Sequence, residues 1–97
     1  MSDSVDFRHL EYLVAIHEGK NFTKAAERVY RSQPALSQQV RALEDDVGFP
    51  IFVRGGRNGV SPTPAGELVL SWARNVLAER REIFNIALAI TTVTYRR

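Results

Sequence analysis

The stretch NFTKAAERVYRSQPALSQQVRALEDDVG, residues 21–48, decides the fold. Asn21 opens a short helix, because its side-chain oxygen can accept a free N–H of the first turn. Phe22 stands at the entry, and Ala25, Ala26 and Val29 form the inner face. Paired alanines let two helices cross closely. Tyr30-Arg31 makes the turn into a second helix, capped by Ser32. Pro34 sits inside its first turn, where a missing N–H does no harm. Leu36, Val40, Leu43 and Val47 recur at +4, +3 and +4, one apolar stripe. At about 100° per residue the opposite face carries Pro34, Gln38 and Arg41, flanked by Ser37, with Gln33 at the exposed N-terminal tip. Gly48 ends the helix.

On the N-terminal side, Phe7, Leu10, Leu13, Val14 and His17 share a helical face. Asp6 is the expected cap of that helix and Gly19 its expected stop. On the C-terminal side the period changes. Ile51-Phe52-Val53-Arg54 reads as a short strand, Gly55 to Gly59 as a turn containing the hairpin signal Asn58-Gly59, and Val60-Ser61 as the return arm. Thr63 and Pro64 then start a long helix, as N-cap and first helical residue, expected to run to about Thr92. Val69, Trp72, Val76, Ile83, Ala87 and Ile90 recur along it near a 3.5-residue spacing, with Leu68, Ala73, Leu77 and Phe84 alongside and Arg80 as an interruption. Such a helix is about 43 Å long, too long for the small head to cover. Its uncovered apolar face marks a partner surface.

The 97 residues suffice for one small head plus this appendage. A head of about 60 residues buries only around 60% of its unfolded surface, so pairing would add stability. The net charge is only +2, but between Lys20 and Arg41 five cations face the single acid Glu27. A phosphate-facing surface needs such local excess, although a solvated helix face would show it too. Glu44, Asp45 and Asp46 follow and read as a solvated helix end. Cysteine is absent, which excludes disulfide and thiol chemistry and is compatible with a reducing cytoplasm. No apolar run approaches the roughly 20 residues that span a bilayer, and the start of the chain has no signal-peptide pattern.

Two short helices joined by a tight turn, followed by a β-hairpin, give a mainly α fold: a winged helix-turn-helix of three helices and a two-stranded wing, then a long linker helix. The third helix buries its apolar stripe on the body and offers Gln33, Pro34, Ser37, Gln38 and Arg41 to a groove. Amides pair adenine edges, arginine pairs guanine or phosphate, and proline can touch a thymine methyl. The runs Phe7–Ala15, Asn21–Val29, Ser32–Val40, Leu43-Glu44, Val47-Gly48, Ile51-Phe52, Arg54, Arg57 and Thr63–Gly66 form an ordered series. Over about residues 6 to 70 this series resembles the LysR-type transcriptional regulators.

The resemblance implies a bacterial, cytoplasmic regulator, nucleoid-associated when bound, that binds double-stranded DNA at dyad-related half-sites as a homodimer paired through the linker helix. Gln33, Pro34, Ser37 and Gln38 would enter the major groove. Thr23 and Ser32 would sit at helix starts beside phosphates, with Arg41 a further phosphate contact. Arg54 and Arg57 would lie near backbone and minor groove. The wing is longer than in many members, with Asn58 and Gly59 both standing between Arg57 and Val60. Val69, Trp72, Val76, Ile83, Ala87 and Ile90 would form the dimer seam. The expected division is a head at 1–62, a linker helix at 63–92 and a tail at 93–97. Family members continue into an effector-binding domain that is absent from these residues, so the chain is expected to be a piece of a longer product. No cofactor is expected in this segment, because a small-molecule effector would bind that other domain.

Other chemistries fit less well. His9 and His17 lie eight apart with no cysteine nearby, a poor metal pattern. Ser37 has no His/Asp constellation beside it. Gly55-Gly56 lacks the strand–loop–helix setting and following Lys of a phosphate loop. An enzyme is therefore not expected. Trp72 could serve as a ligand platform, but a helix seam suits it better. A protein-docking head is the competing reading; exposed aromatics or aliphatics, rather than Gln, Ser and Arg, would then face outward on the third helix.

Overall fold

The computed structural model describes residues 5–56 and 59–94. In chain order it contains α1 (Phe7–Gly19), α2 (Phe22–Arg28), α3 (Gln33–Val47), β1 (Phe52–Gly56), β2 (Gly59–Pro62) and α4 (Pro64–Thr94). The strands pair antiparallel, Phe52 opposite Pro62 and Arg54 opposite Val60, with an irregularity between Arg54 and Gly56. This is a winged helix-turn-helix with a long helix appended, as the periodicities require.

The helix ends follow from capping chemistry. Asp6 accepts from the N–H groups of Arg8 and His9, and His9 Nδ1 accepts from the Asp6 N–H at 3.1 Å, a reciprocal box. Asn21 Oδ1 accepts from Lys24 at 3.0 Å, and Ser32 Oγ from Ala35 at 3.2 Å. At the end of α1 the left-handed residue is Lys20 (φ 52°), where Gly19 was the expected stop. Gly19 stays within the helix, and the Lys20 N–H closes it by donating to the Ile16 carbonyl at 2.8 Å.

The core forms where α1, α2 and α3 meet. Leu13, Ile16 and Leu36 have no exposed surface, and Ala25 and Ala26 are buried at the close crossing. Ile51, Phe52 and Val60 seal the wing onto this cluster. Helix α4 joins it through Leu70, which sequence periodicity overlooked. A second cluster holds α4 on α1: Leu10 and Val14 against Ala73 and Leu77. Ala73 and Leu77 were expected beside a seam between copies, yet they are buried in the head. Arg80, the supposed interruption, continues this inner row. It lies 4.8 Å over the Phe7 ring and 3.7 Å from Glu11. Gly66, Leu70, Ala73, Leu77 and Arg80 thus form one row facing α1 and the wing, distinct from the row of Val69, Trp72 and Val76.

Gly66 fixes the start of α4. A Cβ there would stand 1.9 Å from the Ile51 carbonyl oxygen, so only glycine permits this approach. Thr63 ties the same corner together: its hydroxyl accepts from the Gly66 N–H at 2.9 Å and donates to the Pro50 carbonyl at 2.8 Å. The helix continues through Thr94, past the expected end near Thr92, so Val93 and Thr94 are helical rather than tail.

Candidate nucleic-acid interface

Helix α3 is anchored on one side and open on the other. Leu36, Val40 and Leu43 are buried, while Gln33, Pro34, Gln38 and Arg41 are exposed and Ser37 is half-buried at the border. The exposed set is continuous along the helix and polar apart from Pro34. Arg41 makes no ion pair among the described residues. Ser32 uses a lone pair as cap acceptor, which leaves its hydroxyl proton available to an anion. Thr23 is exposed in the first turn of α2. The predicted groove-facing residues and the two helix starts therefore lie on accessible surface.

The α2–α3 turn carries an exposed residue to which the sequence assigned no role beyond the turn. Tyr30 has φ 59°, the left-handed region that bulky residues rarely enter, and the residue is 94% exposed. Arg31 beside it folds back over the Tyr12 ring at 5.8 Å. A tyrosine in that turn, where glycine or asparagine would be easier, was the available signal.

The wing is bound to α3 through Glu44. One carboxylate oxygen accepts from the Ile51 N–H at 2.7 Å and the Phe52 N–H at 3.1 Å; the other accepts from Arg54 Nη2 at 3.0 Å. The side chains of Glu44 and Arg54 are only 12% and 24% exposed. Glu44 is thus no solvated helix end, which corrects the reading of the acidic run 44–46. Arg54 is also changed in role. Its guanidinium is held by Glu44, lies 5.0 Å over the Phe22 ring and has a buried Nε without a hydrogen-bond partner. Such a side chain orients the wing rather than projecting from it. Arg57 lies outside the described residues. Gly59 brings the return strand against the α1–α2 turn, where a Cβ would meet the Lys20 carbonyl oxygen at 2.8 Å.

Along α4 the expected seam is partly covered. Val69 and Val76 are half-buried against the head, whereas Trp72, Ile83, Ala87 and Ile90 are exposed. The apolar surface is wider than the seam, because Phe84, Ile86, Leu88 and Val93 are exposed as well. Among the described residues, no helix is long and apolar enough to cross a membrane.

A helix-turn-helix whose second member shows a polar face, with a wing clamped beside it, defines the class of winged helix-turn-helix heads. The chain belongs to the lysR family: the description "Bacterial regulatory helix-turn-helix protein, lysR family" matches residues 7–67. The Hca operon transcriptional activator HcaR of Escherichia coli (strain K12) is 47% identical over 75 residues, 77% of this chain and 25% of that protein. The HTH-type transcriptional regulator CysB of Haemophilus influenzae is 44% identical over 79 residues, 80% of this chain and 24% of that protein. The chain thus spans about a quarter of the length of these curated relatives. Among solved structures, the BenM_DBD/benA site 1 DNA complex superposes with TM-score 0.84 at 34% identity, covering 91% of this chain and 98% of that one. The CbnR_DBD-DNA complex gives 0.78 at 33% identity, covering 90% and 99%.

Proposed function

We propose that this chain binds double-stranded DNA with sequence preference, as a homodimer, in the service of transcription regulation. One observation carries the reading: α3 is fixed to the body by buried Leu36, Val40 and Leu43 while Gln33, Pro34, Gln38 and Arg41 point outward. A rigid helix with a free amide-rich face of this kind fits a major groove. The DNA complexes of the BenM and CbnR heads support it, since the folds superpose over nearly their whole length.

In this reading Gln33, Pro34, Ser37 and Gln38 meet base edges. Thr23, Ser32 and Arg41 meet phosphates, which set register but not sequence. Arg57, which lies outside the described residues, is the proposed backbone or minor-groove contact. Arg54 serves indirectly, by fixing the wing angle through Glu44. The head at 1–62 reads DNA and the helix from residue 63 onward pairs two copies through Val69, Trp72, Val76, Ile83, Ala87 and Ile90. Two heads then present two α3 helices to dyad-related half-sites. The setting is a bacterial cytoplasm, at the nucleoid when bound. No enzymatic activity and no cofactor are assigned to these residues; a small-molecule effector belongs to the effector-binding domain of longer family members.

Fluorescence anisotropy tests this reading, with a duplex selected from a random library against a scrambled one at two salt concentrations. Tighter binding of the selected duplex, a steep salt slope and two chains per duplex are expected. Equal binding of both duplexes would contradict it.

A further inference from the structure

Free positive charge gathers at the corner of the head where α2 begins. Arg54 bonds Glu44 at 3.0 Å and lies 5.0 Å over the Phe22 ring, so the end of α3, the base of the wing and the start of α2 meet there. Lys20 and Lys24 stand two residues to either side of Phe22, and both are exposed. A Cβ on Gly19 would lie 3.7 Å from the Lys24 Cβ, so the chain leading into Lys20 passes directly beside Lys24. The wing reaches the same turn, since a Cβ on Gly59 would lie 2.8 Å from the Lys20 carbonyl oxygen. On α3, Arg41 precedes Glu44 by three residues, about 4.5 Å along the helix axis. The open face of α3 therefore runs up to this corner.

Partnering sets these cations apart. Of the five between Lys20 and Arg41, Arg28 pairs with Glu18 and Arg31 folds over the Tyr12 ring. Lys20, Lys24 and Arg41 make no ion pair among the described residues. Lys20 also holds a left-handed backbone, φ 52°, which an L residue other than glycine or asparagine adopts at a cost. The turn itself thus gives no reason for a lysine there. Two like charges side by side repel, and no carboxylate of the described residues is bonded to either. A row of phosphates would offset that repulsion.

We infer that Lys20 and Lys24 together form a clamp for the DNA sugar–phosphate backbone at the wing-side edge of the groove. The inference rests on the DNA-binding reading and extends it by two residues. With α3 seated in a major groove, the corner beside Arg41 comes against the strand that borders the groove. An ammonium is a compact point charge on a flexible stem, suited to phosphate oxygens rather than to the paired atoms of a base edge. The pair therefore adds affinity and salt dependence without sequence preference.

Lys20→Asn and Lys24→Gln test this, titrated by anisotropy against the selected and the scrambled duplex over a series of salt concentrations. Asparagine accepts the left-handed backbone and glutamine the helix, so both variants should keep Tm within about 3 °C of the parent. Each should lower the slope of log affinity against log salt by about 0.9 per bound head, roughly 1.8 with two heads, and the double variant by about twice that. The affinity loss at near-physiological salt should be on the order of tenfold for each variant and equal on both duplexes. Arg81→Gln is the control for net charge, because Arg81 is exposed on α4 and makes no ion pair among the described residues; its slope should match the parent's. An unchanged slope in the lysine variants, an equal fall in Arg81→Gln, or a loss confined to the selected duplex would each overturn the inference and leave the DNA-binding reading standing. A parent chain that bound neither duplex would overturn both.

Discussion

The Glu44 carboxylate accepts the Arg54 guanidinium at 3.0 Å, so the last turn of α3 and the first strand of the wing share one ion pair. The same carboxylate accepts two backbone N–H groups at Ile51 and Phe52. The helix that faces outward and the hairpin beside it are therefore set at one angle by a single side chain.

Glu44→Ala should strand two N–H groups and one half-buried guanidinium. The expected loss is about 2–3 kcal/mol, since hydrogen bonds to charged groups each contribute about 1.5–3 kcal/mol and some solvent access softens their removal. In a chain of this size that is roughly 10 °C in Tm by calorimetry. Glu44→Gln keeps one acceptor and should lose about half as much. A Tm within about 2 °C of the parent for Glu44→Ala would remove this anchor from the account.

Gly66→Ala is expected to destabilise despite alanine being the better helix former. The gain from propensity is about 1 kcal/mol. Against it stands a Cβ 1.9 Å from a backbone carbonyl oxygen, and overpacking of this kind costs typically 1–3 kcal/mol, sometimes more. Urea unfolding should show a net loss; a gain would mean that the α4 start sits farther from Ile51.

Stability should fall on mild acidification through His17. Burial between α1 and α4, and then the Arg74 guanidinium against its Nδ1, hold this imidazole below its ordinary value of 6.5. Glu18 and Glu67 oppose that shift and Lys20 adds to it. The unfolded chain thus binds the proton first, so the contribution is complete above pH 6.5 and is lost as pH falls through the lower folded value. Thermal melts between pH 7.5 and pH 5 should show the decline, and His17→Gln should flatten it. An equal slope in the variant would place the acid sensitivity elsewhere.

Trp72→Glu should separate the proposed dimer. Trp72 is half exposed on the outer row of α4 and contributes nothing to the two buried clusters. A charge there should repel its symmetry mate while the head stays folded. Light scattering is expected to give monomers with unchanged helix content; a dimer of parental affinity would move the seam to another face.

The reading of α3 from sequence worked because its two faces differ sharply in chemistry and its ends carry Ser32 and Gly48. Glu44 was illegible for the opposite reason. Its partners lie seven to ten residues ahead, and its neighbours Asp45 and Asp46 make it look like part of a solvated run. Arg54 inherited the same error, since an arginine on a wing strand reads as a free cation until its acceptor is seen. Along α4 two apolar rows interleave. The inner row of Leu70, Ala73 and Leu77 and the outer row of Val69, Trp72 and Val76 merge into one stripe near a 3.5-residue spacing. Only the position of α1 separates them, and Arg80 then proves to end the inner row rather than break the outer one.

The most direct test of sequence-selective reading is Gln33→Ala, titrated by anisotropy against the selected and the scrambled duplex in the same buffer. Gln33 is exposed at the tip of α3 and takes no part in the buried core. The expected result is a loss of about 1–3 kcal/mol on the selected duplex, roughly 5- to 150-fold, with little change on the scrambled one. Equal losses on both duplexes, or none on either, would contradict the claim that this face of α3 reads DNA sequence.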